Sequence, residues 1–317
     1  MSGAPLRVVF FGTPFFAVPT LEAVLASRHP VVGVVTRPDR PRGRGQKTSD
    51  SPVKTRATTA GVPVLQPATL NDPAFLAALR TFDADIGVVA AYGKILSETV
   101  LAVPRFGMIN VHASLLPSHR GAAPIHRAIL AGDTETGVTI MRVVKALDAG
   151  PALATVGRPI GPNETSEEVE RDLARLGASL LVSQLDELAS GTARETPQDE
   201  RAATYAPRLT KEEGLIDWEW PAARIHNLAR GLHPWPHAYT FLNKARLIIR
   251  RTSPVIGCSV AAPGEIIVAS GDRLRVATAD GGLDLIELQA EGRRSMSARE
   301  FLAGHPLQPG QRFSAAP

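Results

Sequence analysis

Two segments of the 317-residue chain constrain its fold most: Leu6-Arg7-Val8-Val9-Phe10-Phe11 and Asp85-Ile86-Gly87-Val88-Val89-Ala90-Ala91. Both are apolar almost without a break. A strand with one wet face alternates polar and apolar residues, whereas a strand covered on both faces does not. These two therefore belong to a sheet with helices on either side. Ala17, Leu21, Val24 and Leu25 recur at helical spacing between Phe16 and Ser27, and residues 30–36 return as a strand. The chain thus opens as a βαβ unit of a Rossmann-like open sheet. Residues 52–60 and 72–80 are predicted helices, the second capped by Asn71 or Asp72, and Val62 to Leu65 is a predicted short strand. Gly12 is followed by Thr13-Pro14, so the G-x-G-x-x-G fingerprint is not met and the first turn offers no pyrophosphate cradle.

Further on, strands are predicted over 107–113, 136–144 and 151–159, a helix from Pro124, and a long helix over 165–189. Residues 191–207 are polar and aperiodic and are expected to link two domains, 1–190 and 208–317. The chain is also longer than the roughly 250–300 residues at which single cores stop growing. After a helix over 221–230, short apolar runs at 237–242, 246–252, 264–269, 274–278 and 283–288 are separated by turn residues. That spacing predicts a small β-barrel of the oligonucleotide-binding (OB-like) kind.

Composition narrows the function classes. No apolar run reaches the roughly 20 residues a membrane span needs. A strand beginning by Leu6 leaves no room for a signal or transit peptide. The single cysteine, Cys258, allows no internal disulfide and no cysteine-based zinc cluster. A reducing, cytoplasmic location is expected. The net charge of +4 permits a polyanionic partner without requiring one.

Chemistry enters at Gly107-Met108-Ile109-Asn110-Val111-His112-Ala113-Ser114-Leu115-Leu116-Pro117. In a strand, Asn110 and His112 share a face, with Ile109 and Val111 opposite. A carboxamide and an imidazole there can hold an oxyanion and move a proton. Alone, Asn-x-His is an ordinary strand end. Asp148, in the turn Ala146-Leu147-Asp148-Ala149-Gly150-Pro151, is alone an ordinary capping aspartate. All three are expected at carboxyl ends of strands in one sheet, where they could converge. Arg37-Pro38-Asp39-Arg40-Pro41-Arg42-Gly43-Arg44-Gly45-Gln46-Lys47 reads as a long basic loop without regular structure, suited to phosphate contacts.

These motifs, with Arg120-Gly121-Ala122-Ala123-Pro124, Thr136-Gly137-Val138-Thr139, Pro234-Trp235-Pro236 and Met296-Ser297-Ala298, resemble the folate-dependent formyltransferases nearly end to end. Pro38-Asp39-Arg40-Pro41, Gly43-Arg44-Gly45 and Ser51-Pro52-Val53-Lys54 resemble the loop that members acting on initiator tRNA insert. The resemblance implies transfer of a formyl group from 10-formyltetrahydrofolate to the α-amine of methionyl initiator tRNA, without a metal. It implies Asn110, His112 and Asp148 as catalytic residues. It places the folate co-substrate against Ser114, Leu115, Leu116, Pro117, Ala90, Ala91 and Tyr92, and tRNA against Arg44, Arg42, Lys47, Arg208 and Lys211. A monomer without membrane association is expected. Pro151, Ser118-His119 and His126 depart from the usual family pattern at the rim of the site. Formyl transfer to a small amine such as an amino sugar nucleotide is the alternative, opposed mainly by the basic loop.

Overall fold

The computed structural model describes residues 3–42, 47–257 and 261–316. They form two compact units. The first comprises residues 1–124, 135–158 and 170–206 and the second residues 125–134, 159–169 and 207–317.

The strands of the first unit are β1 (Val8–Gly12), β2 (Val31–Val35), β3 (Arg40–Arg42), β4 (Lys47–Ser49), β5 (Val64–Leu65), β6 (Ile86–Ala90), β7 (Met108–His112), β8 (Arg120–Gly121), β9 (Glu135–Arg142), β10 (Ala152–Pro159) and β11 (Tyr205–Ala206). Seven form one sheet in the order β10-β9-β7-β6-β1-β2-β5. Every residue of β1 and β6 is buried, as their unbroken apolar runs require. On one face, Phe75 and Leu79 of helix α1 (Pro73–Thr81) and Val100 pack on Val9, Phe11, Val35, Val89 and Met108. Asp72 is the N-cap of α1, its carboxylate accepting the Ala74 N–H. On the other face, the long helix Ser166–Ser190 passes so close to Val111 that a Cβ on Gly177 would meet its Cγ1 at 2.7 Å. Ile109 and Val111 thus face one way, and Met108, Asn110 and His112 the other.

The sheet is mixed. β7 runs parallel to β6, but β9 runs antiparallel to β7, with His112 opposite Thr139 and Ile109 opposite Arg142. The carboxyl end of β9 therefore lies beside the start of β7. Asp148 does not sit at a strand end on the same edge as His112, as all-parallel strands would have placed it. It reaches His112 through the loop that follows Arg142.

Two further expectations are revised. The basic loop is not irregular throughout: β3 and β4 pair antiparallel, Arg40 with Ser49 and Arg42 with Lys47. An isolated ribbon tolerates Pro41 because a two-stranded edge does not need every N–H. Residues 191–207 do not run free between the units. Thr196 bridges Ala152, and β11 pairs parallel with β8, so this stretch is strapped to the first unit.

In the second unit, β12 (Ala238–Leu242), β13 (Ala245–Val255), β14 (Ile266–Ser270), β15 (Arg273–Ala277) and β16 (Gly282–Ala290) form an antiparallel sheet in the order β12-β13-β16-β15-β14, with β17 (Met296–Ser297) beside β16. Among the described residues the ladder does not close into a complete barrel. Instead the C-terminal stretch spans its two edges, Ser314 bridging Phe241 and Arg312 bridging Glu265. Ile225, Leu228 and Leu232 of the preceding helical stretch pack on Leu247, Ile249, Leu283 and Leu288 to form the core.

Candidate active site

The site is built where β7 ends. Asn110 and His112 occupy two successive positions on one strand face, and the chain then turns through Ser114–Ser118. Thr139 holds this turn: its hydroxyl donates to the Ser114 carbonyl at 2.8 Å and accepts the Leu116 N–H at 3.1 Å. The buried Ser114 hydroxyl donates to the Ser118 carbonyl. The next residue, His119, takes a left-handed φ of 59° and presents its carbonyl to His112 Nε2 at 3.0 Å.

That contact fixes the His112 tautomer. A carbonyl only accepts, so Nε2 carries the hydrogen and Nδ1 is bare in the neutral ring. Nδ1 faces Asp148 Oδ2 at 3.7 Å, close enough for an ion pair but too far for a hydrogen bond. His112 is 5% exposed. Burial pushes its pKa below the ordinary histidine value, and the Asp148 charge opposes that shift. At neutral pH the ring is a base whose acquired proton would be held by a carboxylate. The partly exposed Asn110 carboxamide takes no part in these bonds.

Asp148 is held from two sides. Its Oδ2 accepts the Gly121 N–H at 2.8 Å, and its backbone adopts φ 48°, a conformation aspartate tolerates better than most residues. Gly121 has φ 121°, and a Cβ there would come within 2.8 Å of the Ala206 carbonyl oxygen. Gly150 is as constrained, since a Cβ would fall 1.9 Å from the Arg142 carbonyl oxygen.

The structure thus brings His112 and Asp148 within 3.7 Å, with Asn110 two residues earlier on the same strand face and Leu115, Leu116 and Pro117 partly exposed in the turn that follows. Ala91 is exposed, whereas Ala90 and Tyr92 are buried. The Tyr92 ring packs edge-on against Phe11, and burial pushes its phenol up to about 12. Arg42 and Lys47 pair through their backbones in the ribbon, and Arg44 lies outside the described residues. Arg208 and Lys211 are exposed in the second unit.

Sequence reasoning missed the groups that hold the ribbon and the Asp148 loop. Lys54 reaches both Asp39 and Asp50, one before β3 and one after β4, with Asp50 at 2.8 Å. The two carboxylates raise the Lys54 pKa. Gln66 donates to Asp39 Oδ1 at 2.8 Å and to the Arg37 carbonyl at 3.0 Å. Gln198, fifty residues beyond Asp148, donates to the Asp148 and Gly150 carbonyls at 2.9 and 2.7 Å. Apart from Asp50, four residues before Lys54, these partners are distant in the chain, and nothing local in the sequence marks them.

Residues 6–185 match the formyl transferase family model, and residues 208–306 match the formyl transferase C-terminal domain model. The chain belongs to the formyl transferase family. Methionyl-tRNA formyltransferase of Aromatoleum aromaticum is 46% identical over 316 residues, covering 100% of this chain and 99% of that one. Methionyl-tRNA formyltransferase of Methylococcus capsulatus is 47% identical over 302 residues, covering 95% and 98%. The solved N-formyltransferase of Helicobacter canadensis, in complex with folinic acid and dTDP-3-aminofucose, matches with a TM-score of 0.68 at 17% identity, covering 90% of this chain and 99% of that one. That last likeness is one of fold.

Proposed function

We propose that this formyl transferase moves the formyl group of 10-formyltetrahydrofolate to the α-amino group of methionyl initiator tRNA, in the cytoplasm and as a monomer. The observation that carries the reading is the end-to-end similarity, through both domains, to methionyl-tRNA formyltransferases. The local chemistry agrees. The amine attacks the formyl carbon, and the carbonyl becomes an oxyanion in a tetrahedral intermediate. Asn110, whose amide is uncommitted, donates to that oxygen. The neutral His112 has no spare donor, because Nε2–H is spent on His119. Its part is to receive the proton leaving the amine at Nδ1, opposite Asp148. The proton then passes to the departing folate nitrogen as the C–N bond breaks and the oxyanion collapses to the formamide.

The folate lies against Leu115, Leu116, Pro117 and the exposed Ala91, with Ala90, Tyr92 and Ser114 contributing through the backbone because their side chains are buried. Arg42 and Lys47 of the ribbon, Arg44 between them in the sequence, and Arg208 and Lys211 of the second unit meet the tRNA phosphates. Purified protein given 10-formyltetrahydrofolate and charged initiator tRNA is expected to accumulate formylmethionyl-tRNA. No such product, with turnover of an amino sugar nucleotide instead, would overturn the tRNA assignment.

A further inference from the structure

Gln198 has every hydrogen-bonding position of its side chain filled. Its two N–H groups donate to the Asp148 and Gly150 carbonyls, and its oxygen accepts from Arg120 Nε at 3.1 Å and Nη2 at 2.8 Å. The amide cannot be flipped, since carbonyls only accept and a guanidinium only donates. Arg120 is 1% exposed, and two of its three remaining donors form a two-point pair with Glu200, Nη1 and Nη2 reaching the two carboxylate oxygens at 2.9 and 2.8 Å. The strap that carries Gln198 and Glu200 also carries Thr204. Thr204 accepts the His119 N–H on its hydroxyl at 2.8 Å and the Arg120 N–H on its carbonyl at 2.9 Å. Residues 198–204 therefore support both members of the catalytic pair: Asp148 through Gln198, and His112 through the His119 carbonyl.

We infer that Gln198, locked by Arg120, is a positioning residue that sets the distance between Asp148 and His112. This rests on the formyl-transfer reading but not on the identity of the amine. The Asp148 loop leaves the sheet at the far end of β9 and has a left-handed residue at its tip, so its return to His112 is not dictated by the strands. Gln198 ties the two carbonyls that flank Ala149. Displacing a reacting group by about 1 Å can cost about a hundredfold in rate. Without the tie, Asp148 also withdraws the charge that favours imidazolium, so His112 becomes a weaker base.

The test uses the full-length protein with its best amine acceptor. Gln198→Ala should lower kcat about 10- to 100-fold, with KM for formyl-folate and acceptor each changed less than about threefold. The acidic limb of its pH–rate profile, where His112 protonates, should move to lower pH. Gln198→Glu keeps an acceptor for Arg120 but cannot donate to the two carbonyls when ionised. It should fold, match the kcat loss near neutral pH, and recover part of the lost activity relative to wild type as its carboxyl protonates and its single O–H can donate to one of the two carbonyls. A folded Gln198→Glu enzyme with wild-type kcat would overturn the inference. So would losses confined to KM, or reduced kcat in both variants with the pH limb unmoved. Failure of the wild-type enzyme to transfer formyl to any amine would instead overturn the parent reading.

Discussion

The His112–Asp148 corner draws on residues 110–112, 119–121, 148–150 and 198–204, whereas the basic ribbon draws, among the described residues, on positions between 39 and 54 with Gln66 as a distant addition. In the corner, buried polar groups saturate one another, and a single missing donor leaves others unpaired. In the ribbon, the two feet meet on one ammonium, Lys54. Under the proposed function, the difference teaches where each task would be placed. Proton transfer needs fixed distances and a low dielectric, which long-range burial supplies. Engaging a polyanion needs charge presented to solvent, for which a local ribbon pinned at its base suffices.

The largest predicted effect falls in the corner. His112→Asn should lower kcat about a thousandfold with little change in KM for tRNA, read from initial rates of formylation. A comparable rise in KM would break the division of labour. Lys54→Ala should do the reverse, raising KM for tRNA about tenfold while kcat and the formyl-folate KM stay within about threefold. Lys54→Arg, which can still reach both carboxylates, should restore most of the loss. Gly150→Ala sharpens the contrast. Its Cβ meets backbone at 1.9 Å, so it should cost stability as well as rate, seen as a drop of roughly 5 °C in Tm.

A smaller effect separates stability from catalysis in their response to acid. Burial, with the nearby Arg127 charge, pushes His126 down to about 4. Between its unfolded value of about 6.5 and about 4, the unfolded chain binds the proton and the folded chain does not. Its stabilising contribution is therefore complete above about pH 6.5 and lost as pH falls to about 4. It amounts to at most about 3 kcal/mol. His126→Gln should flatten the fall of Tm between pH 7 and 5 without moving the pH limb of the rate.

What the sequence made legible follows the same division. Period-two alternation placed Asn110 and His112 on one strand face, and unbroken apolar runs placed β1 and β6 in the centre of a covered sheet. Both are local patterns that burial enforces residue by residue. The antiparallel turn of β9 was not legible, because a strand's direction depends on where its neighbours leave room. Nor was the pairing of β3 with β4, since proline and glycine argue against strands in general but not against a free two-stranded edge. Gln198 and Thr204 looked like linker residues because their polar side chains find these partners across 48 to 85 positions of chain.

The claim that the proton is received by His112 under the influence of Asp148 is tested most directly by the pH–rate profile of Asp148→Asn. Asp148 raises the His112 pKa against the lowering effect of burial. Its neutral replacement should therefore move the acidic limb of kcat to lower pH while reducing the plateau. An acidic limb that stays where wild type has it, or moves to higher pH, would contradict the account.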